Sequence, residues 1–332
     1  MTEFLPVEII GTGFHVPERV VTNEDYEKEY GVSAEWIKQV SGIESRCIAA
    51  PHEACSHLAI PAAKKAMESA GISPKELDLI ILATINADYS SPPGACLVQG
   101  AIGAENAAAF DIDCACLSYV WALQVGAHFV SANMFKKVLV IASEICTRAA
   151  NFNDPKTFIL LGDGAGAAVL SKGDGESGVL ASYFRADGTR WEAATIKACG
   201  TLYPDPRNLP EGVSVNDLYF KMDGQKVYKF AVKAMAEAVK EVTKKAGLNL
   251  DDIKLVIPHQ ANYRILESAI KRMQINRDQV FVNVQKYGNT GAATVAIALA
   301  DAHKKGKISK GDHVVLTGFG AGLSWGAILL RW

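Results

Sequence analysis

Ala70-Gly71-Ile72 followed by Leu77-Asp78-Leu79-Ile80-Ile81, and Ala246-Gly247-Leu248 followed by Ile253-Lys254-Leu255-Val256-Ile257, repeat one pattern at an offset of 176 residues. Each copy reads as a helix end, a glycine stop and a strand beginning shortly afterwards. The strand Val138-Leu139-Val140 recurs at the same offset as Val314-Val315-Leu316. Two glycine-rich turns also rhyme, Gly162-Asp163-Gly164-Ala165-Gly166 and Gly318-Phe319-Gly320-Ala321-Gly322, at an offset of 156. Any one of these matches is within chance. Several in the same order point to a duplicated half.

Outward from that echo, apolar runs alternate with helix-length stretches. Val7–Ile10, Leu79–Leu82, Val138–Ile141 and Ala167–Leu170 are continuous rather than alternating, which predicts strands buried on both faces. Ser56–Ala70 and Leu117–Ala132 are long enough for helices. The alternation predicts an α/β fold of layered helices and sheets. Its halves are 1–172 and 223–332, packed as one body with a site where they meet. Residues 173–222 hold Gly173-Asp174-Gly175, Asp187-Gly188-Thr189 and Pro204-Asp205-Pro206 turns and little periodicity, and read as an elaborated connection.

Composition narrows the function class. The chain has 332 residues, 34 basic and 36 acidic side chains, and a net charge of −2, so no sequence-wide pull towards nucleic acid or anionic lipid is expected. Hydrophobic residues at 49% and charged residues at 21% argue against disorder. Seven irregularly spaced cysteines do not form a disulfide framework and suit a reducing cytoplasm. The opening MTEFLPVEIIGTG lacks the basic and apolar regions of a signal peptide, and no apolar run is long enough to span a bilayer.

Three residues stand out as reactive. Cys116 sits between the strand-like Ala109-Phe110-Asp111-Ile112 and the helical run from Leu117. A helix N-terminus favours thiolate, although the position equally suits a small buried hydrophobe. Cys114 stands nearby, but no second Cys/His cluster accompanies the pair, so a metal site is not expected. His259 directly follows the buried strand Leu255-Val256-Ile257, where it either faces a cleft or serves as a structural histidine. Asn289, in Tyr287-Gly288-Asn289-Thr290, precedes an apolar helix and suits a cap or a turn as well as a site.

Taken together these segments resemble the β-ketoacyl-acyl carrier protein synthase III family of the thiolase superfamily. The resemblance is carried by Phe110–Cys116, Gly162–Ala168, Pro258-His259-Gln260-Ala261-Asn262, Tyr287–Thr290 and Gly318–Gly326, with Glu35-Trp36-Ile37 and Ser41-Gly42-Ile43 earlier in the chain. It implies a thiolase-like fold, two duplicated halves with five-stranded sheets in α-β-α-β-α layers, and a homodimer. The implied reaction is a decarboxylative Claisen condensation of a primer acyl-CoA with malonyl-acyl carrier protein, initiating fatty acid synthesis. Cys116 would carry the primer as a thioester, with the N–H groups of Cys116 and Ala321 as oxyanion hole. His259 and Asn289 would stabilise the enolate. No cofactor is implied beyond coenzyme A and phosphopantetheine as parts of the substrates.

By the same resemblance, Trp36, Asn262 and Gly224 would hold the coenzyme A or pantetheine arm. Ser91, Leu161 and Phe220 would shape the acyl pocket. Arg264, Lys271, Arg272 and Lys229 would form a basic patch for the acidic carrier protein. The sequence departs from the family at Val40 and Pro155, where arginines often assist the adenine-stacking tryptophan, and at Ser91, where several relatives carry phenylalanine. These departures keep open a specialised relative that takes an unusual primer or transfers acyl groups in secondary metabolite or cofactor pathways. A primer arriving on a carrier protein is equally open.

Overall fold

The computed structural model describes residues 4–198, 200–203, 205 and 207–332. Pro204 and Pro206 of the expected Pro-Asp-Pro turn, and Met1–Glu3, lie outside the described residues.

The first half runs β1 (Val7–His15), β2 (Val20–Thr22), α1 (Asn23–Tyr30), α2 (Ala34–Ser41), β3 (Ser45–Cys47), α3 (Cys55–Ala70), β4 (Leu79–Ala83), α4 (Gly94–Ile102), β5 (Ala108–Ile112), α5 (Ser118–Ser131), β6 (Lys137–Ile145), α6 (Pro155–Phe158) and β7 (Asp163–Lys172). Then come β8 (Gly178–Ala186), β9 (Ala194–Thr195), β10 (Lys221–Met222), α7 (Gly224–Lys245), β11 (Leu255–Pro258), α8 (Tyr263–Met273), α9 (Val284–Tyr287), α10 (Ala293–Lys304), β12 (His313–Gly320) and β13 (Ser324–Arg331). The first sheet is ordered β1-β7-β6-β4-β5 and the second β11-β12-β13-β8.

The duplication is preserved down to register. Leu79 pairs with Val138 in parallel β4 and β6, and Leu255 pairs with Val314 in parallel β11 and β12. Both strands are introduced by the same device. Ser73 and Glu76 form a capping box on a 3-10 turn, as do Asn249 and Asp252, while Gly71 and Gly247 both take positive φ. The carboxylate satisfies the first free N–H of each turn, which stops the preceding helix at a set distance from its strand.

Two differences from expectation have physical causes. Residues 173–222 are not only a connection, because β8 pairs along its length with β13 and belongs to the second sheet. The second sheet also has four strands, its fifth place reduced to a bridge between Val256 and Val280. There the Gln260 side chain replaces a ladder. Its Nε2 donates to Phe281 O at 3.2 Å and its Oε1 accepts from Asn283 N at 3.0 Å.

Two sheets separate three apolar layers. Leu79, Ile81, Val138 and Val140 face the middle layer with Leu255, Ile257, Val314 and Leu316, while Ile80, Leu82, Leu139 and Ile141 face α3 and α4. Burial on both faces is why these runs are continuous. The middle layer holds α5 and α10, each packed against strands of both sheets, and α7 and α8 cover the second sheet. Close packing of α10 needs Gly166 on β7, where a Cβ would lie 2.5 Å from the Ala296 carbonyl carbon. Gly166→Val should therefore lower stability by about 3 kcal/mol or more, read by urea denaturation. Loss below about 1 kcal/mol would show that the layer can spread.

Candidate active site

Residues 113–117 turn the chain from β5 into α5. Ala115 takes φ +49°, a left-handed conformation that costs an L-residue about 1–2 kcal/mol. Side chains hold the turn there. Asp113 Oδ1 accepts from Ala115 N at 2.7 Å, and Ser118 Oγ accepts from Cys114 N at 2.7 Å while donating to Ala115 O at 2.6 Å. This elbow sets Cys116 at the N-terminal end of α5.

The second half reaches the elbow through its glycine-rich turn. A Cβ on Gly320 would stand 3.0 Å from Cys116 N and 3.1 Å from Cys114 O, and one on Gly318 would stand 3.3 Å from His259 Cβ. Bare backbone at both positions lets the turn lie against Cys116 and His259. Cys116, His259, Asn289 and Ala321 consequently line one cavity of about 440 Å³. Among the described residues, neither Cys116 N nor Ala321 N donates to a protein carbonyl, so both N–H groups are free for an oxyanion.

His259 and Asn289 are each oriented by one bond. The His259 ring is buried, its Nδ1 lies 2.6 Å from Thr294 Oγ1, and the edge of the ring meets Phe319. With Nδ1 engaged, Nε2 is the nitrogen left for a substrate. Asn289 is pinned to the first half by its backbone, donating to Leu160 O at 2.7 Å and accepting from Gly162 N at 3.0 Å. Its Oδ1 accepts from Gly291 N at 3.0 Å, which leaves Nδ2 as a donor for the cavity. Asn289 thus serves the turn and lines the cavity at once. The partners Thr294 and Gly291 escaped the sequence reading because nothing in their spacing marks them.

Burial pushes the Cys116 thiol up to about 12, with the nearby acids Glu144 and Asp113 acting in the same direction, and it pulls His259 down to about 3. The helix-terminal position expected for Cys116 is present, and desolvation there opposes the helix dipole.

Other residues divide. Trp36, Gly224 and Phe220 line the cavity. Asn262 lines it too, yet both ends of its amide are used, Oδ1 capping α8 through Arg264 N at 2.7 Å and Nδ2 reaching Val40 O at 3.2 Å. Leu161 does not line it. It bridges to Asn289 and turns into the core, and its neighbours Ile159 and Leu160 take the wall instead. Ser91 is exposed on the loop after β4 and is absent from this chain's own cavity wall, where Ile85 stands.

The basic surface is two surfaces. Lys271 and Arg272 are exposed on α8, and Arg264 beside them donates to Gln39 O at 2.9 Å, tying α8 to the helix that carries Trp36. Lys229 belongs elsewhere. Lysines at 226, 229 and 233 share the face of α7 turned away from Tyr228, which bonds Ser268 of α8. They line a separate groove of about 760 Å³ with Arg190. The described residues hold no helix long and apolar enough to cross a membrane.

The depressed His259 value has a consequence for stability. The unfolded chain protonates this ring below about 6.5, whereas the folded chain resists until about 3, so stability is full above the first value and falls as pH drops towards the second. His259→Gln removes that loss, and its stability should fall less than the wild type's between about pH 7 and about pH 4 in urea titrations. Equal losses would mean that the ring is protonated in place.

Comparisons with known proteins follow the same map. The model of 3-oxoacyl-[acyl-carrier-protein (ACP)] synthase III matches residues 110–188, and the model of its C-terminal part matches residues 243–332. The β-ketoacyl-[acyl-carrier-protein] synthase III of Caldanaerobacter subterraneus subsp. tengcongensis is 45% identical over 332 residues, covering 100% of this chain and 99% of that protein. The crystal structure of the 3-oxoacyl-[acyl-carrier-protein] synthase III of Aquifex aeolicus VF5 is 41% identical with a TM-score of 0.90, covering 98% of this chain and 100% of that one. The priming β-ketosynthase of the R1128 polyketide biosynthetic pathway is 32% identical with a TM-score of 0.91, covering 99% of this chain and 97% of that one. With its thiolase-like fold and matches through both halves, the chain belongs to the 3-oxoacyl-[acyl-carrier-protein] synthase III family.

Proposed function

We propose that this chain condenses a primer acyl thioester with malonyl-acyl carrier protein, losing CO₂ and giving a β-ketoacyl-acyl carrier protein that initiates fatty acid synthesis. The observation that carries the reading is the meeting of Cys116, His259, Asn289 and Ala321 in one cavity.

In the first half-reaction Cys116 Sγ bonds to the primer's carbonyl carbon. The thiol proton leaves with the departing coenzyme A sulfur, and the N–H groups of Cys116 and Ala321 take the oxyanion. In the second, the bond to the malonyl carboxylate breaks and its electron pair becomes an enolate. His259 Nε2 and Asn289 Nδ2 donate to the enolate oxygen, each worth roughly 3 kcal/mol of barrier. The enolate carbon attacks the acyl-enzyme, and Cys116 leaves and regains a proton. A neutral histidine fits this task, because it must donate a hydrogen bond without giving up a proton.

A homodimer is supported by β5, which ends the first sheet with one edge unpaired and leads directly into the elbow. The exposed loop carrying Ser91 follows β4 beside it, where it would reach a partner's acyl pocket. Two observations favour the specialised reading as a second possibility. One is the likeness to a priming ketosynthase; the other is a cavity mouth of Trp36, Val40 and Lys156.

Intact-protein mass measurement after incubation with a panel of acyl-CoAs, then malonyl-acyl carrier protein, tests the reading. A short acyl adduct discharged as a β-ketoacyl product is expected. Adducts only from long, branched or carboxylated groups would select the specialised enzyme, and adducts only from carrier-protein donors would remove coenzyme A as the primer's carrier. Cys116→Ala should abolish the adduct, while His259→Ala and Asn289→Ala should slow decarboxylation far more than acylation. Equal loss in both half-reactions would contradict these roles.

Carrier docking is tested on α8. Lys271→Glu should raise KM for the carrier-linked substrate about tenfold and leave small thioesters unaffected. Arg264→Glu should affect both, because Arg264 also holds α2.

A further inference from the structure

Glu144 is a buried acid that the condensation does not use. It lies on β6 on the face turned to the middle layer, fully enclosed. Its Oε1 accepts from Ile85 N at 2.8 Å, and its Oε2 is buried without a hydrogen-bond partner among the described residues. Above it sits the loop that carries Asn289. A Cβ added to Gly291 would stand 3.2 Å from Glu144 Cγ, and Gly291 N is the donor that orients Asn289. Ile85, Asn289 and Cys116 all line the cavity. Glu144 therefore touches the supports of both the cavity wall and the enolate donor.

Two backbone N–H groups, of Ile85 and Ala292, face its carboxyl, and its titratable neighbours are acids and thiols. Asp113 follows β5, Asp163 opens β7, and Cys55, Cys116 and Cys146 lie within its field. An enclosed carboxylate with one oxygen unpaired is costly, and such neighbours raise the cost. Burial pushes its carboxyl well above the usual range. An anion here would also oppose the enolate forming on the other side of the wall.

We propose that Glu144 is a positioning residue for decarboxylation, whose carboxyl ties the Ile85 wall to β6 beneath the Asn289 loop. The inference rests on the condensing activity proposed above, and its test separates the two. Acyl transfer to Cys116 from an acyl-CoA and CO₂ release from malonyl-acyl carrier protein are followed in wild type, Glu144→Ala and Glu144→Gln.

Glu144→Ala should slow CO₂ release about tenfold or more while acylation changes less than about threefold. Glu144→Gln keeps the acceptor for Ile85 N and should restore CO₂ release. The proposal is overturned if glutamine is as damaging as alanine, or if both half-reactions fall together. Should the alanine protein not fold, Glu144→Gln decides alone, and a fall in its CO₂ release of more than about threefold overturns the proposal. A wild type that neither acylates nor releases CO₂ refutes the condensing activity itself, and this inference with it.

Discussion

The approach of the Gly318–Gly322 backbone to the Cys116 elbow is the constraint on which this site depends. A side chain at Gly320 would collide with the Cys116 N–H, and Cys116 and Ala321 would separate. The same contact joins the halves, because the elbow belongs to the first sheet's layer and the glycine turn to the second. Stability and chemistry thus share one interface. Further along it, Asn289 is pinned by its backbone to Leu160 and Gly162 of the first half.

Burial sets the electrostatics of that interface. Thiol, imidazole and the Glu144 carboxyl are all driven towards their neutral forms by desolvation. Under the proposed mechanism charge develops in the cavity during reaction, first as an oxyanion and then as an enolate. Donors fixed beforehand in a low-dielectric cavity act more strongly than in water and need no reorganisation.

Much of the architecture was legible in the chain. The offset of 176 residues between the two helix–turn–strand units proved to be a shared strand register, since identical turn chemistry spaces each strand from its helix. Cys116, His259 and Asn289 were legible because each sits beside a strand end or helix start. The missing fifth strand was not, because beyond the bond from Phe281 N to Val256 O its backbone groups turn to the Gln260 side chain, which no local pattern reveals. Nor was the place of β8, whose partner β13 is far along the chain.

The sequence by itself determined the layered fold, its duplication and the three side chains that meet in the cavity, because periodicity, turn residues and motif order are local properties. Tertiary structure decided the rest. It set desolvation against the helix dipole at Cys116, moved Leu161 into the core in favour of Ile159 and Leu160, and put Lys229 in a groove apart from α8. It also chose Thr294 and Gly291 as the partners that aim the histidine and the asparagine. Protonation, pocket walls and donor orientation depend on atoms brought together from distant parts of the chain, and the field and space they create exist only once the layers have packed.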